Sequence, residues 1–438
     1  MQAQGAAVSV GHAVSSKTYA YYVVAVLFLA YSVNVMDRSV LGVLLESIKH
    51  DFVVNDKMLG LLSGMAFALF YATLGIPIAA LADRTSRRSV LAAAAALWSG
   101  ATALCGMASN FWFLLLARVG TAVGEAGGTP ASQALISDYF PLRERGLALS
   151  LFALGVPFGA MLGSGLGGWS NDRFGWRVTF MLVGLPGLLV ALLVRATVKE
   201  PRRGQSDKLS ASAAKSATPK LSEALKYLWG RPSFRHMAIA AGLHSMVWYA
   251  GSQLNASFLQ RSHHMTSAQA GFWLAVFSGT GAVGTLLGGY LSDRLSVRLG
   301  DRRWYMWVPG WATIAMLPFQ FSSYLAGSLW VVVPSFIMML IFGSMFFGPS
   351  FAMSQGLATL RTRAVATSLT LFTQTLIGLG LGPLLAGAIS DYLHPTVGAD
   401  SLRYGLVIVG VINAWAAFHY FRGARTVSED MDRAVALS

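Results

Sequence analysis

Long stretches without a charged residue recur along this chain and constrain its fold more than any other feature. No Asp, Glu, Lys or Arg occurs in Met58–Ala82, Ser89–Ala117, Trp304–Leu360 or Ala364–Ser390. A helix rises about 1.5 Å per residue, so crossing a hydrocarbon layer of about 30 Å takes roughly 20 apolar residues. The stretches are continuous, whereas the strands of a membrane barrel alternate with a period of two. The sequence therefore predicts an all-α membrane protein.

Twelve transmembrane helices fit into the 438 residues, of which 55% are hydrophobic and only 12% are charged. This composition excludes a disordered chain, and the single cysteine, Cys105, excludes a disulfide framework. The predicted spans are residues 19–46, 58–82, 88–109, 111–139, 146–169, 177–195, 235–259, 269–292, 304–323, 328–358, 364–389 and 403–421.

Lys and Arg are distributed unequally between the predicted loops. If the amino terminus is cytoplasmic, the loops on that side carry about four times as many basic residues as the opposite loops. Basic residues collect on the cytoplasmic side of membrane proteins. We therefore expect both termini to be cytoplasmic and the protein to lie in a cell membrane, most simply a bacterial inner membrane. The net charge of +14 then reflects loops that face anionic lipid, so no nucleic-acid partner is expected.

The chain contains two copies of one six-span pattern. The loop AALADRTSRR (Ala79–Arg88) matches GYLSDRLSVR (Gly289–Arg298), with Asp83 and Asp293 lying 210 residues apart. Before spans five and eleven, LRERGLALSL matches LRTRAVATSL at an offset of 218. Duplicated six-span halves around a central cavity are typical of secondary transporters. We predict a tail (1–18), a first bundle (19–195), a linker (196–234) with room for a short helix at 221–229, a second bundle (235–421) and a tail (422–438).

Four charged residues are predicted to lie inside spans, and all belong to the first half: Asp37 and Arg38 in span one, Arg118 and Glu125 in span four. A charge in the middle of a membrane helix costs at least about 2.5–3.5 kcal/mol. Arg118 and Glu125 share a helix face, whereas Asp37 and Arg38 point about 100° apart. A static ion pair that clamps the two helices is one explanation. A proton-coupled site is the other, because a buried ion pair often adds little net stability.

The proton-coupled interpretation assigns a role to each of these charges. Desolvation raises the pKa of a carboxyl group in a dry cavity, and a neighbouring guanidinium lowers it. We predict that Asp37 is the main proton carrier and Arg118 its switchable partner. Glu125 would orient Arg118 or carry a second proton. Arg118 or Arg38 could also bind a phosphate or carboxylate group of the substrate.

The first matched loop carries a family resemblance. LADRTSRR is similar to the signature between helices two and three of the major facilitator superfamily, although Ala79 stands where the family usually has Gly. The resemblance covers nearly the whole chain and implies the major facilitator fold. In that family the loop latches the cytoplasmic ends of the halves, although ordinary loop charge explains Arg87 and Arg88 equally well. The latch implied by the resemblance comprises Asp83, Arg84, Arg87, Arg88, Asp293 and Arg294.

Within the superfamily, MDRSVL in span one and RVGTAVGEAGGTPASQALISDYFP in span four resemble the spinster branch. This resemblance implies a monomeric, cofactor-free, proton-coupled exporter of an amphipathic anionic lipid, such as a lysophospholipid or a sphingoid phosphate. One departure is Gly127-Gly128, where animal spinsters have Ser-Tyr, and the smaller residues would widen the cavity. The same four charges also resemble those of the anion:cation symporters. Proton-coupled import of a small organic or sugar acid is therefore the alternative.

The second half has no charge in the interior of its spans and offers polar and aromatic side chains instead. A charged half facing an apolar half would suit a headgroup on one side and an acyl chain on the other. Core packing is the alternative for any single aromatic residue, and an interhelical hydrogen bond is the alternative for His244. The predicted substrate-binding residues are Arg118, Arg38, Asn34, His244, Trp248, Gln253, Phe346, Thr373 and Gln374.

Signals for catalysis are weak in this sequence. We find no nucleophile–base–acid set, no Walker loop and no cluster of metal-ligating residues, so we expect neither an enzyme nor a metal or cofactor site. GTGAVG (Gly279–Gly284) lies inside span eight, where small residues favour helix packing over dinucleotide binding. The energy for transport must then come from an ion gradient.

Overall fold

The computed structural model describes residues 16–201, 221–359 and 362–437, and all regular elements in these ranges are helical. Six helices form the first half. They are α1 (Lys17–Phe52), α2 (Asp56–Gly60, continued by a π-helical Leu61–Met65 and by Ala66–Arg84), α3 (Arg87–Gly106), α4 (Phe111–Tyr139), α5 (Leu142–Ala153 and the first part of Gly155–Thr197, to residue 174) and α6 (the remainder of that segment, from residue 176).

Six further helices form the second half. They are α7 (Pro232–His263), α8 (Ser267–Leu299), α9 (Trp304–Leu325), α10 (Leu329–Ser344 and Phe347–Gly356), α11 (Arg363–Thr373, a π-helical Gln374–Leu381 and Gly382–Val397) and α12 (Ser401–Gly410 and Ile412–Ala424). A short helix over Leu221–Trp229 lies where the linker was predicted to hold one. The predicted tail after residue 421 differs, because Val427–Ala436 forms another helix there.

Seven helical stretches within the described ranges are long and apolar enough to cross a membrane. Two of them, Glu144–Thr197 and Val365–Ala424, contain 54 and 60 residues. A straight helix of 54 residues would be about 80 Å long, so each stretch comprises two spans. The first is divided at Gly175, whose φ of 78° suits a residue without a Cβ. Helices α4, α7 and α9, with 29, 32 and 22 residues, are also long enough to cross a membrane, which brings the number of spans in the described ranges to the predicted twelve.

The predicted all-helical architecture is thus confirmed in the described ranges, and the helices are longer than the predicted spans. Helix α1 continues to Phe52 and α8 to Leu299, six and seven residues beyond the predicted ends. The apolar pattern ends where the hydrocarbon ends, but backbone hydrogen bonding continues into the polar region. Charged residues near helix ends, such as Glu46 and Lys49, are therefore part of the helices and not of loops.

The two halves meet at one end of the bundle and separate at the other. At the end that holds Glu46, Asp56, Arg261 and Asp391, which we call the sealed end, one apolar core contains residues of both halves. At the opposite end, where α1 begins and α12 ends, each half has its own apolar core. We call this second end the terminal end. Hydrogen bonds between described residues of the two halves all lie at the sealed end.

Candidate substrate and proton site

Two of the four buried charges form an ion pair between helices. Arg38 of α1 donates a hydrogen bond to Glu125 of α4, whose side chain is fully buried. The side chain of Arg38 remains 30% exposed. Its guanidinium carbon lies 4.9 Å from the ring centroid of Phe67 and 4.8 Å from that of Tyr71, both on α2. Cation–π contacts of this kind stabilise a guanidinium that has lost part of its water.

The neighbouring Asp37 has no ionic partner among the described residues. It is fully buried, and its Oδ2 accepts a hydrogen bond from the Thr102 hydroxyl of α3 at 3.0 Å. Its Oδ1 has no hydrogen-bond donor within the described part of the chain. Asp37 and Arg38 thus leave α1 in different directions, as their 100° separation predicted. Among the described residues, the Thr102 hydroxyl is thus the one hydrogen-bond donor to the Asp37 carboxylate.

Arg118 is the fourth buried charge, and it too lacks a carboxylate partner in the described ranges. It is 2% exposed, and its guanidinium carbon lies 5.5 Å from the ring centroid of Phe67. Its Nε and Nη1 have no acceptor among the residues that the structure describes. The predicted contact in which Glu125 orients Arg118 is not formed. Seven residues separate their Cα atoms by about 10.5 Å along the axis, and Arg38 from α1 takes the Glu125 carboxylate instead.

Asn34 of α1, a predicted substrate-binding residue, borders a small cavity between α1, α3 and α4. The cavity has a volume of about 10 Å³, roughly the space that one water molecule needs. Both amide atoms of Asn34 and the Nε1 of Trp98 are buried there without a partner in the described ranges.

His244 of α7 lies in a hydrogen-bond network within the second half. It is fully buried, with Nε2 2.8 Å from the Gly343 carbonyl oxygen and Nδ1 3.2 Å from the Thr313 hydroxyl. Its ring centroid is 4.4 Å from that of Phe346, which is 1% exposed. This arrangement is the interhelical hydrogen bond that was the alternative for His244, and the substrate-binding roles of His244 and Phe346 stay predictions. Both ring nitrogens of the histidine already have partners, and the phenylalanine is covered.

Of the other predicted residues of the second half, Gln253 lies at the boundary between the halves, beside Gly42 of α1. Trp248 and Gln253 of α7 are half-buried, and Thr373 of α11 bonds to carbonyl groups of its own helix. Gln374 begins the π-helical part of α11, and its Nε2 is buried without a described partner. This π-helical segment packs against that of α2 across the two halves. Such segments in membrane and soluble helices frequently occur at functional sites.

The predicted latch residues at the terminal end contact only their own half among the described residues. Arg87 forms an ion pair with Asp138, and the backbone N–H groups of Arg87 and Arg88 donate to Glu200. Arg84 is exposed at the end of α2. The side chain of Asp83 lies outside the described part of the chain. These contacts do not form a latch between the halves in this state.

The second copy of the loop behaves in the same way. Asp293 accepts a hydrogen bond from the Tyr305 hydroxyl at 2.5 Å, and Arg294 lies against Tyr290 of its own helix. Among the described residues, the hydrogen bonds between the halves lie at the sealed end, and none of them joins the predicted latch residues of the two halves at the terminal end. A latch between them requires the opposite conformation, which is what the family resemblance implies for this loop.

The sealed end contains a charged network that the sequence analysis missed. Arg261 of α7 binds Glu46 of α1 at 2.6 Å and Asp56 of α2 at 2.7 Å, so it bridges the halves. Lys49 binds the same Asp56 at 2.6 Å. No role was predicted for Glu46 or Asp56 from the sequence, and Lys49 and Arg261 were counted only among the basic residues of the loops. Their positions near the predicted span ends were the available signal, because opposite charges at the same membrane level can pair.

Known proteins share this architecture. The model of the Major Facilitator Superfamily matches the chain over residues 27–376 and, in a second match, over residues 237–432. The chain belongs to the major facilitator superfamily. It is therefore a membrane transporter and not an enzyme. The two overlapping matches together cover both six-helix halves.

Individual members of the superfamily are similar over nearly the full length. An MFS-type efflux pump of Mycolicibacterium smegmatis is 30% identical and is aligned over 96% of this chain and 98% of its own length. The crystal structure of a bacterial homologue of the human lysosomal transporter spinster, in an inward-facing and unoccupied conformation, gives a TM-score of 0.86 at 31% identity. It covers 95% of this chain and 99% of the homologue. The predicted resemblance to the spinster branch is confirmed.

A relative from another branch is also similar. A probable L-galactonate transporter of Escherichia coli is 26% identical over 90% of this chain and 87% of its own length. The comparisons therefore include both kinds of relative that the buried charges suggested, a spinster homologue and a sugar-acid transporter.

Proposed function

We propose that this transporter is driven by protons and moves an amphipathic anionic lipid, such as a lysophospholipid or a sphingoid phosphate, out of the cell. One observation carries the proposal. Asp37 and Arg118 are buried in the membrane-spanning part of the first half, and neither has an ionic partner among the described residues. An unpaired carboxylate can take a proton, and an unpaired guanidinium can take an anion.

The carboxylate of Asp37 is the proposed proton site. Burial of an ionised carboxylate is costly unless it is paired, and the single hydrogen bond from Thr102 compensates only part of that cost. A proton on Asp37 removes the charge without any movement of the helices. The buried position therefore makes the charge state of Asp37 sensitive to other charges that arrive nearby.

The guanidinium of Arg118 is the proposed anion site. Its Nε and Nη1 donors are unused among the described residues, and a phosphate or carboxylate can accept two parallel hydrogen bonds from such a group. Phe67 lies against its face, so the substrate has to approach from the edge. An anion bound there changes the electrostatic energy of a proton on Asp37, and this linkage is reciprocal.

Arg38 and Glu125 provide the second proposed proton-sensitive pair. Arg38 is the partly exposed member, so an anionic group of the substrate can compete with Glu125 for it. Release of Glu125 would leave its buried carboxylate without a counterion. The same argument then applies to Glu125 as to Asp37, and proton occupancy changes with substrate binding.

An apolar cluster at the boundary between the halves is the proposed site for the acyl chain. Phe67, Ala68 and Ala122 of the first half pack with Leu379 of the second, and Tyr71 and Tyr249 border this group. A headgroup at Arg118 therefore lies beside an aromatic and aliphatic surface. Residues 19–195 and 235–421 would rock against each other to expose this site alternately at the two ends. Outward transport is supported by the efflux pump that is 30% identical to the chain.

A sugar acid is the second candidate substrate, favoured by the similarity to the L-galactonate transporter. Its carboxylate would use the same arginines, but its hydroxyl groups would find little hydrogen bonding in the apolar cluster. If the terminal end faces the cytoplasm, as the distribution of Lys and Arg predicts, an exported lipid would enter the structure described here from that side, and an imported sugar acid would leave it there.

The proposal is tested with purified protein in proteoliposomes. Movement of a labelled lysophospholipid and of labelled L-galactonate is measured with and without a pH gradient. We expect gradient-dependent movement of the lysophospholipid, abolished by Asp37→Asn and by Arg118→Ala. Asp51→Asn, which changes an acid paired with Arg177 at the sealed end, is the matched control and should retain transport. Preference for L-galactonate would establish the second candidate, and gradient-independent movement in all variants would refute proton coupling.

A further inference from the structure

Two equivalent contacts join the halves at the sealed end. Asp391 of α11 accepts hydrogen bonds from the backbone N–H groups of Asp56 and Lys57, the first residues of α2, both at 2.8 Å. Asp172 of α5 accepts hydrogen bonds from the first backbone N–H groups of α8, Ser267 at 3.1 Å and Ala268 at 2.8 Å. In each half, the fifth helix thus supplies an aspartate to the second helix of the other half.

The neighbouring side chains repeat the same arrangement. Asn171 donates to the Ser267 hydroxyl oxygen at 2.8 Å, and Ser390 donates to the Asp56 carboxylate at 2.6 Å. Asp172 and Asp391 are 219 residues apart, and Asp56 and Ser267 are 211 apart. These offsets agree within one residue with the offsets of 218 and 210 that relate the repeated loops. The two contacts are therefore copies of one contact in the duplicated chain.

A glycine lies four residues before each aspartate and permits the contact. A Cβ on Gly168 would collide with the Ser267 carbonyl oxygen, and a Cβ on Gly387 would collide with that of Asp56. Without a side chain at these positions, the backbone of the fifth helix approaches the end of the second helix closely. The carboxylate one turn further along then reaches the unpaired N–H groups.

The hydrogen bonds satisfy groups that the helices cannot satisfy themselves. The first four N–H groups of a helix have no partner within it. Asn55 caps Met58 at 3.0 Å in α2, and Thr266 caps Gln269 at 3.3 Å in α8, which leaves the first N–H groups to the other half. A negative charge at a helix amino terminus is also favourable electrostatically. Separation of the halves at this end breaks both contacts and exposes these groups to water.

We propose that Asp172 and Asp391 form a duplicated lock that holds the sealed end closed, and that both aspartates release their helices whenever this end opens. They are positioning residues, because they act on the halves and not on the substrate. The inference rests only on the rocking of the halves in the proposed function. It depends neither on the chemistry of the substrate nor on protons.

The two copies are predicted to contribute unequally. The contact at α2 is reinforced by Arg261, which also binds Asp56 from the second half. Around the contact at α8, the described residues provide the hydrogen bond between Asn171 and Ser267 but no ion pair. Loss of Asp172 should therefore open the sealed end more than loss of Asp391, because Arg261 continues to hold the α2 contact.

Distances between spin labels test the lock directly. In a Cys105→Ala background, one label pair at positions 107 and 330 reports the sealed end, and a second pair at 147 and 297 reports the terminal end. The native residues Met107, Trp330, Leu147 and Val297 are all exposed, with one member of each pair in each half. The distances are measured by double electron–electron resonance in lipid nanodiscs, without substrate and without a pH gradient.

We expect Asp172→Ala and Asp391→Ala each to raise the ratio of open to closed sealed ends by about five- to thirtyfold, the usual effect of losing a helix cap. The label pair at the terminal end should become shorter to the same extent. Asp51→Ala is the matched control, because Asp51 pairs with Arg177 at the same end but within one half. It should leave both distance distributions unchanged.

The variants Asp172→Asn and Asp391→Asn keep one acceptor oxygen and a good helix cap, so they keep the proposal testable if the alanine variants do not fold. They should give smaller shifts in the same direction. Unchanged distances in folded variants, or lengthening at both ends together, would overturn the lock. Because the measurement needs neither substrate nor a proton gradient, its failure is distinguishable from failure of the proposed transport activity.

Discussion

The two halves of this protein repeat one six-helix pattern, but only the first contains charges in the interior of its spans. The first half holds Asp37, Arg38, Arg118 and Glu125 within α1 and α4. In its buried interior, the second half uses neutral groups. His244 bonds to Gly343, Tyr324 donates to Asn255 at 2.9 Å, and Asn413 donates to Gln320 at 3.2 Å.

This difference shows what the fold itself requires. The second half forms the same bundle with neutral hydrogen bonds, so buried charges are not needed to build six packed helices. Each buried charge costs several kcal/mol, and a paired charge adds little net stability in return. The charges of the first half therefore indicate function. The halves divide the proposed work, with the first binding charge and the second contributing an apolar surface.

Of the substitutions that test this difference between the halves, removal of the charge of Asp37 should have the largest effect on transport. Asp37→Asn keeps the size of the side chain and the hydrogen bond from Thr102 but cannot exchange a proton. Transport driven by a pH gradient should fall by about a hundredfold or more, which corresponds to about 2.7 kcal/mol. Substrate exchange at equal pH on both sides should persist, and flux assays in proteoliposomes measure both activities. If exchange at equal pH fell as much as gradient-driven transport, the substitution would have damaged the substrate site and not uncoupled transport from protons.

The ion pair between Arg38 and Glu125 should be the next most sensitive feature. Glu125→Leu leaves a guanidinium without its counterion, which costs about 3–5 kcal/mol when burial is complete. We expect the lower part of this range, since Arg38 is 30% exposed. The double variant Arg38→Met, Glu125→Leu should recover most of the stability and remain inactive. Thermal unfolding in detergent gives the first result and flux assays the second.

A stable, inactive double variant would make the first half resemble the second, with neutral packing in place of the pair. A double variant less stable than Glu125→Leu alone would contradict the comparison, because the charges would then be needed for folding.

The hydrogen bonds of His244 provide a corresponding test in the second half. His244→Leu removes two hydrogen bonds in a buried position and should destabilise the protein by about 1–3 kcal/mol. Transport per folded molecule should change less than twofold, because the side chain holds α7 against α9 and α10. Activity normalised to the folded fraction measures this. If His244→Leu instead lost lysophospholipid binding while remaining folded, His244 would have the substrate-binding role predicted from the sequence.

Substitution of two threonines, one in each half, should have the smallest effect on transport and gives the most closely matched comparison. Thr102 donates to Asp37 in the first half, and Thr313 contacts His244 in the second. Thr102→Val removes a hydrogen bond to a charged group and should change gradient-driven transport by about tenfold. Thr313→Val makes the same substitution at a neutral network and should change it less than twofold. Equal effects of the two substitutions would remove the functional distinction between the halves.

Much of the fold was predictable because the membrane imposes a simple rule. Runs such as Met58–Ala82 can satisfy their backbone in a bilayer only as helices, so their number and order follow from composition. Helix ends were less predictable. Beyond the hydrocarbon, residues such as Lys49 continue α1 with no apolar pattern to mark them. The break at Gly175 divides two predicted spans, although the chain there remains almost continuously helical.

The membership of the candidate site was predictable, but its pairing was not. Rarity of charge inside the spans identified Asp37, Arg38, Arg118 and Glu125 from the sequence. Helix periodicity then suggested that Arg118 and Glu125 act together, whereas Glu125 in fact binds Arg38. Periodicity reports which residues share a face of one helix and carries no information about which helix lies opposite.

The sequence contains a motif for the lock at the sealed end, but the motif is short. The pattern Gly-x-x-x-Asp occurs at Gly168 and again at Gly387, at the offset of the repeat. A five-residue motif with two specified positions is too short to be recognised as an interhelical contact from the sequence alone. Only the structure shows that each aspartate reaches a helix of the opposite half.

The sequence alone determined that this chain crosses a membrane as two copies of six helices and that four charges are buried in the first copy. These features are local, because hydropathy and the cost of a charge in hydrocarbon depend on each residue and its immediate neighbours. The tertiary structure decided which charges are paired, which end is closed and which residues close it. Those features depend on distances of a few ångströms between segments that can be 200 residues or more apart, and only the packed chain sets such distances.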